Sequence, residues 1–131
     1  MNNKSVIIAA KRTPIGSFLG YLSTFSASDL AAQVIKSILS NVKIHPSQID
    51  EVILGNVLSS GQGQAPARQA TIKGGCPKSV ESLTINKMCG SGMKSIMIGN
   101  DSILSGNNDI VIAGGLESMS NAPYILQKVR E

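Results

Sequence analysis

Leu83-Thr-Ile-Asn-Lys-Met-Cys-Gly-Ser-Gly-Met-Lys-Ser95 reads as an apolar strand that turns directly into a helix. Ser82 to Met88 carries Leu83, Ile85 and Met88 in an imperfect alternation, the pattern of an edge strand. From Met93 to about Ser105, Met93, Ile96, Met97, Ile98, Ile103 and Leu104 give a helix its apolar residues. Gly106 is placed for its C-terminal cap. Between strand and helix lies Cys89-Gly-Ser-Gly92, where Gly90 and Gly92 remove the Cβ atoms that would block a sharp turn.

Outward from that corner the same alternation of elements continues. Downstream, Asp109-Ile-Val-Ile-Ala-Gly-Gly115 reads as a strand, and Glu117 to Glu131 shows no strand or helix partner. Upstream, Ala65 to Lys73 has helical composition with Pro66 in its first turn, and Gly74-Gly75 with Pro77 ends it. Glu51 to Leu58 reads as a further strand. Before it, Ser26 or Ser28 caps a helix with Asp29 in the first turn and Leu30, Val34, Ile35, Ile38 and Leu39 as its apolar stripe. The run Val6-Ile7-Ile8-Ala9-Ala10 does not alternate, which predicts a strand buried on both faces. The order β-α-β-α-β-α-β predicts an α/β fold: a mostly parallel sheet with right-handed crossovers and helices on both faces.

Composition limits what such a domain does. Hydrophobic residues make up 42% and charged residues 15% of 131 positions, which excludes a disordered chain. Aromatic residues are 3%, too few for a base-stacking platform. Twelve Lys and Arg against eight Asp and Glu give a net charge of +4. Only Lys11 and Arg12 are adjacent, so no basic stripe points to nucleic acid. The five-residue apolar run at Val6 to Ala10 is too short for a signal peptide's core or a membrane span. Two cysteines and one histidine rule out a disulfide framework and a conventional metal cluster, so no metal is expected, and a reducing cytoplasmic setting is the default.

Phosphate-binding motifs are missing too. Gly61-Gln-Gly63 lacks the third glycine of a dinucleotide fingerprint, and no Gly-x-x-x-x-Gly-Lys-Ser/Thr occurs. Ser91 has Cys89 and Met93 where a Gly-x-Ser-x-Gly elbow needs glycines.

Cys89 is the candidate nucleophile. A thiol at the start of a helix meets unpaired backbone N–H groups and the positive end of the helix dipole, both of which favour thiolate. The same N–H groups can receive the oxyanion formed when that sulfur attacks a carbonyl, the Cys89 N–H among them. The competing reading is a small buried cysteine, a common interior residue. Cys76, between Gly75 and Pro77, has no such surroundings and reads as structural. His45 precedes Pro46 on the approach to a strand, the wrong end for a site that gathers at strand carboxyl ends, and reads as a surface turn residue.

Five segments together resemble the thiolase family, and within it the biosynthetic acetyl-CoA acetyltransferases. They are Arg12-Thr-Pro-Ile-Gly16, Val52-Ile-Leu-Gly-Asn-Val57, Gly61-Gln-Gly-Gln-Ala-Pro-Ala-Arg-Gln69, Thr84-Ile-Asn-Lys-Met-Cys-Gly-Ser-Gly92 and Gly114-Gly-Leu-Glu-Ser-Met-Ser-Asn-Ala-Pro-Tyr124. The resemblance implies a layered α/β/α/β/α sandwich of two halves, of which this chain is similar to the first only. Residues 1–120 would form an incomplete N-terminal half-domain and 121–131 the start of a loop domain that makes most coenzyme A contacts.

It implies that Cys89 takes the acetyl group of acetyl-CoA and that a second acetyl-CoA condenses with it to acetoacetyl-CoA, with thiolysis as the reverse. Coenzyme A thioesters are then substrates and no cofactor is needed. The family's Asn-Glu-Ala-Phe, Gly-His-Pro and Cys-x-Gly-Gly-Gly segments do not occur here. The chain is therefore expected to be a fragment that is inactive alone. A 3-ketoacyl-CoA thiolase of longer chains and a non-catalytic assembly domain are the alternative readings. The resemblance also implies a homo-oligomer, dimer or tetramer, paired through the edge strand Ser82 to Met88.

Overall fold

The computed structural model describes residues 4–128. Three strands, β1 (Glu51–Gly55), β2 (Glu81–Ile85) and β3 (Val111–Gly115), form one parallel sheet in the order β2-β1-β3. Three helices complete it: α1 (Ala27–Asn41), α2 (Pro66–Lys73) and α3 (Ser91–Leu104). Gly55 aligns with Ile85 on one side and with Gly115 on the other, so all three strands end at one level.

The helices lie on both faces of the sheet, as the alternation of elements predicted. Val52 and Leu54 join Ala27, Ala31 and Ile35 of α1 and Ala67 and Ala70 of α2 in one buried cluster. Ile53, between them, is outside that cluster and points the other way, under α3. A Cβ on Gly99 of α3 would stand 3.1 Å from Val111 and 3.6 Å from Ala113. Ile35, Val52, Ile53 and Val80 are fully buried, and each such side chain contributes about 1.5–3 kcal/mol.

Helix α1 starts as its sequence dictates. Ser26 Oγ accepts from Asp29 N at 3.1 Å and the Asp29 carboxylate turns back on Ser26, a capping box. Its buried face differs from the expected stripe. Ala27, Ser28, Ala31, Ala32 and Ile35 are buried, whereas Leu30, Val34, Ile38 and Leu39 are only partly so. Small residues let α1 approach α2 closely, and that contact sets the rotation of the helix rather than the larger side chains.

The strand expected at Val6 to Ala10 does not form. Val6, Ile7 and Ile8 are 76%, 83% and 62% exposed and pair with no strand, although Ser5 Oγ bonds Asn100 of α3. A run apolar on both faces needs cover on both, and the described residues supply none. The sheet thus has three strands where the sequence predicted four. The others are shorter than expected, ending at Gly55 and Ile85 and starting at Val111. The segment after β3 forms no strand or α-helix among the described residues, as expected, but it is tied back to the domain. Met119–Asn121 is a short 3-10 turn, and Asn121 Nδ2 donates to the Ser23 and Phe25 carbonyls at 3.0 and 2.8 Å.

Candidate active site

Cys89 stands in the corner between β2 and α3, at the carboxyl edge of the sheet, and is exposed. The corner is tight because Met88 takes a left-handed conformation, φ 49°. For a residue with a side chain this costs roughly 1–2 kcal/mol, so its surroundings must enforce it. They do. Met88 N donates to Asn86 Oδ1 at 2.9 Å. Ser91, 4% exposed, accepts from Lys87 N at 2.8 Å and donates to Met88 O at 2.6 Å through its hydroxyl. Gly90 N and Ser91 N close the turn onto the Lys87 and Met88 carbonyls.

Helix α3 has no side-chain cap at Gly90. Ser91 N and Lys94 N bond the Met88 and Gly90 carbonyls, and the N–H groups between them, Gly92 and Met93, have no acceptor among the described residues. Two open donors at the positive end of a 14-residue helix therefore lie within a few residues of an exposed thiol. Such a corner can receive an oxyanion formed beside it.

The sheet floor makes the approach of α3 possible. A Cβ on Gly55 would fall 2.5 Å from Ser91 C and 2.7 Å from Gly92 N, so only glycine lets the helix start sit on the end of β1. Ser95, fully buried one turn on, donates to the Gly92 and Gly114 carbonyls at 2.7 and 2.6 Å and fastens α3 to β3.

The other sequence candidates lie elsewhere. Cys76 is buried, and that burial pushes its thiol up. His45 is exposed at the amino side of β1, where Nδ1 accepts from Ser47 N and caps a 3-10 turn, Pro46–Gln48. It is not brought to Cys89. A polar cavity of about 560 Å³ between α1 and the Gly61–Gln62 loop includes the Asp29–Lys73 ion pair but not Cys89. The described residues hold no cluster of three or more metal-ligating side chains, and no helix among them is long and apolar enough to cross a membrane.

Sequence reasoning missed Asn56 and Glu117. Asn56 Nδ2 donates to Glu117 Oε1 at 2.7 Å and to Leu116 O at 3.2 Å. Val57 N and Leu58 N donate to the same carboxylate, each at 3.0 Å. The signal was available: each is the first strongly polar residue after an apolar strand, at the edge where sites form.

The thiolase N-terminal domain family matches residues 5–131. This chain belongs to the thiolase family. It is 52% identical over 125 residues to a probable acetyl-CoA acyltransferase of Staphylococcus aureus, covering 95% of this chain and 32% of that protein. A probable acetyl-CoA acyltransferase of Staphylococcus epidermidis is likewise 52% identical, over 128 residues, with 98% and 32% covered. The chain thus spans about a third of the length of these curated relatives. Among solved structures, the Acat5 thiolase from Ascaris suum in complex with coenzyme A superposes with a TM-score of 0.85 at 47% identity. That match covers 89% of this chain and 31% of the other. A parallel sheet with helices on both faces is therefore a thiolase-fold half-domain, as its motifs implied.

Proposed function

We propose that Cys89 is the acyl-accepting nucleophile of a thiolase that condenses two molecules of acetyl-CoA to acetoacetyl-CoA and runs the reverse thiolysis. The observation that carries this is the exposed thiol just before an uncapped helix start whose Gly92 and Met93 N–H groups have no acceptor among the described residues. The Cys89 sulfur attacks the thioester carbonyl carbon, the tetrahedral oxyanion is held by main-chain donors, and coenzyme A leaves as its thiol after taking a proton. A second acetyl-CoA loses an α-proton, its carbanion attacks the acetyl-cysteine carbonyl, and the Cys89 thiolate is released. Both steps exchange one thioester for another acyl bond, so acyl reactivity is kept between them.

Coenzyme A binding in the Acat5 relative supports coenzyme A thioesters as the substrates. His45, the one histidine, caps a turn at the amino side of β1 and is not brought to Cys89, so a base for the second substrate is expected outside these residues and the chain alone is expected to be inactive. Strand β2 occupies one end of the sheet, and its free edge is the surface through which two copies would pair. A reducing cytoplasmic setting suits an exposed thiol that must stay reduced.

The test is peptide mapping after acid quench of the complete enzyme with acetyl-CoA. An acetyl group on the Cys89 peptide is expected; an acetyl group elsewhere, with Cys89 unmodified, would overturn the assignment. Separately, acetoacetyl-CoA thiolysis by the purified 131-residue chain should be undetectable, and measurable turnover would refute its inactivity.

A further inference from the structure

Asn56, 2% exposed, touches the carboxyl ends of all three strands. Its N–H donates to Ile85 O, at the end of β2, at 2.9 Å. Its side chain reaches Leu116 O and Glu117 beyond β3, and its Oδ1 accepts from Gln62 Nε2 at 3.2 Å. Every polar group of the Asn56 side chain is thus engaged, and the Glu117 carboxylate takes three N–H groups from Asn56, Val57 and Leu58. Strand β2 has β1 as its single neighbour in the sheet, so the end of β2 that leads to Cys89 is held sideways at Asn56. Gly55, the preceding residue, carries the start of α3.

From this we infer that the Asn56–Glu117 pair is a clasp that positions the Cys89 corner: Asn56 acts through Ile85 and Gly55, setting the sulfur against the open N–H groups of α3. The inference rests on the reading of Cys89 as nucleophile. Neither side chain needs to touch substrate. Asn56→Asp removes the donor and places a second carboxylate against Glu117. Adding Glu117→Gln restores a donor–acceptor pair with its polarity reversed, so recovery in the double variant reports the contact itself.

The experiment is iodoacetamide alkylation at neutral pH of the folded protein, mapped by mass spectrometry, with buried Cys76 as the internal reporter of folding. Wild-type Cys89 should react faster than the same cysteine after unfolding in denaturant. Asn56→Asp should slow Cys89 about tenfold, within the roughly 100-fold that displacement remote from a reacting atom can cost. The double variant should regain part of the rate, with Cys76 protected throughout. A protected Cys76 with Cys89 at the wild-type rate in Asn56→Asp overturns the clasp and leaves the nucleophile standing. If Asn56→Asp opens Cys76, Glu117→Gln alone decides: slowed Cys89 supports the clasp and an unchanged rate overturns it. Wild-type Cys89 no faster than its unfolded self refutes the nucleophile, and the clasp falls with it.

Discussion

Strand β2 has a cysteine beside each of its ends, and the two ends use related parts for opposite purposes. Before it, Cys76 follows Gly75, which takes the positive φ of 99° that the turn requires at no steric cost. Beyond it, the positive φ falls on Met88, a residue that resists it. At the first end the polar groups are paired: Cys76 N bonds Thr71 O, and the Arg68 guanidinium clamps the Val80 and Lys78 carbonyls. At the second end the Gly92 and Met93 N–H groups have no acceptor among the described residues. Cys76 is sealed in the core cluster and Cys89 is exposed. Exposure of the thiol thus follows the end of the strand rather than the residue type.

The largest contrast between the two ends is chemical. In the complete enzyme, Cys89→Ala should cut acyl transfer by several orders of magnitude, because it removes a member of a cooperating unit. Cys76→Ala should leave that rate near wild type and cost about 1 kcal/mol of stability from a small cavity. Steady-state assays with a denaturant titration check both.

Next comes the floor of the reactive corner. Gly55→Ala places a Cβ on the backbone of Ser91 and Gly92, where nothing flexible can yield, and should destabilise by about 3 kcal/mol, the upper range of overpacking. A fall in the denaturant midpoint checks it. Ser91→Ala leaves the Lys87 N–H without its acceptor and removes the donor to Met88 O, at about 2 kcal/mol. The Cys89 corner should loosen while Cys76 remains protected from alkylation; equal exposure of both cysteines would contradict separate ends.

Much of this architecture was legible in the sequence. The strands starting at Glu51 and near Ser82, a serine cap at Ser26 or Ser28 and the strand-to-helix corner at Cys89 all follow from local pattern, because each is fixed by contacts a few residues apart. Two things were not. The run Val6 to Ala10 has the composition of a buried strand, yet burial depends on what lies on either side, and composition cannot say what does. The rotation of α1 was set by Ala27 and Ala31 against α2, a distant contact invisible to a hydrophobic stripe. At the site, Cys89 was legible because glycines mark a turn. Asn56 and Glu117 are 61 residues apart and meet only through sheet register.

The smallest expected effect lies away from both cysteines and serves as a reference. A hydrogen bond from Lys73 at 2.7 Å, then one from Ser26, holds the Asp29 carboxyl below its usual range. A folded value below the unfolded one means the stabilisation is present above the unfolded carboxylate range and is lost as pH falls through the folded value. The pair is half-exposed, so solvent screening limits it to about 0.5 kcal/mol. The acid-side loss in Asp29→Asn should shrink by that amount, with Cys89 reactivity untouched.

The most direct measurement is the ratio of alkylation rates of Cys89 and Cys76 in the folded protein at pH 7, read from the two tryptic peptides. Burial of one thiol and open helix donors beside the other predict Cys89 faster by at least about 100-fold, and faster than in the unfolded chain. Equal rates for the two, or a Cys89 no quicker folded than unfolded, would contradict an activated nucleophile at the β2–α3 corner.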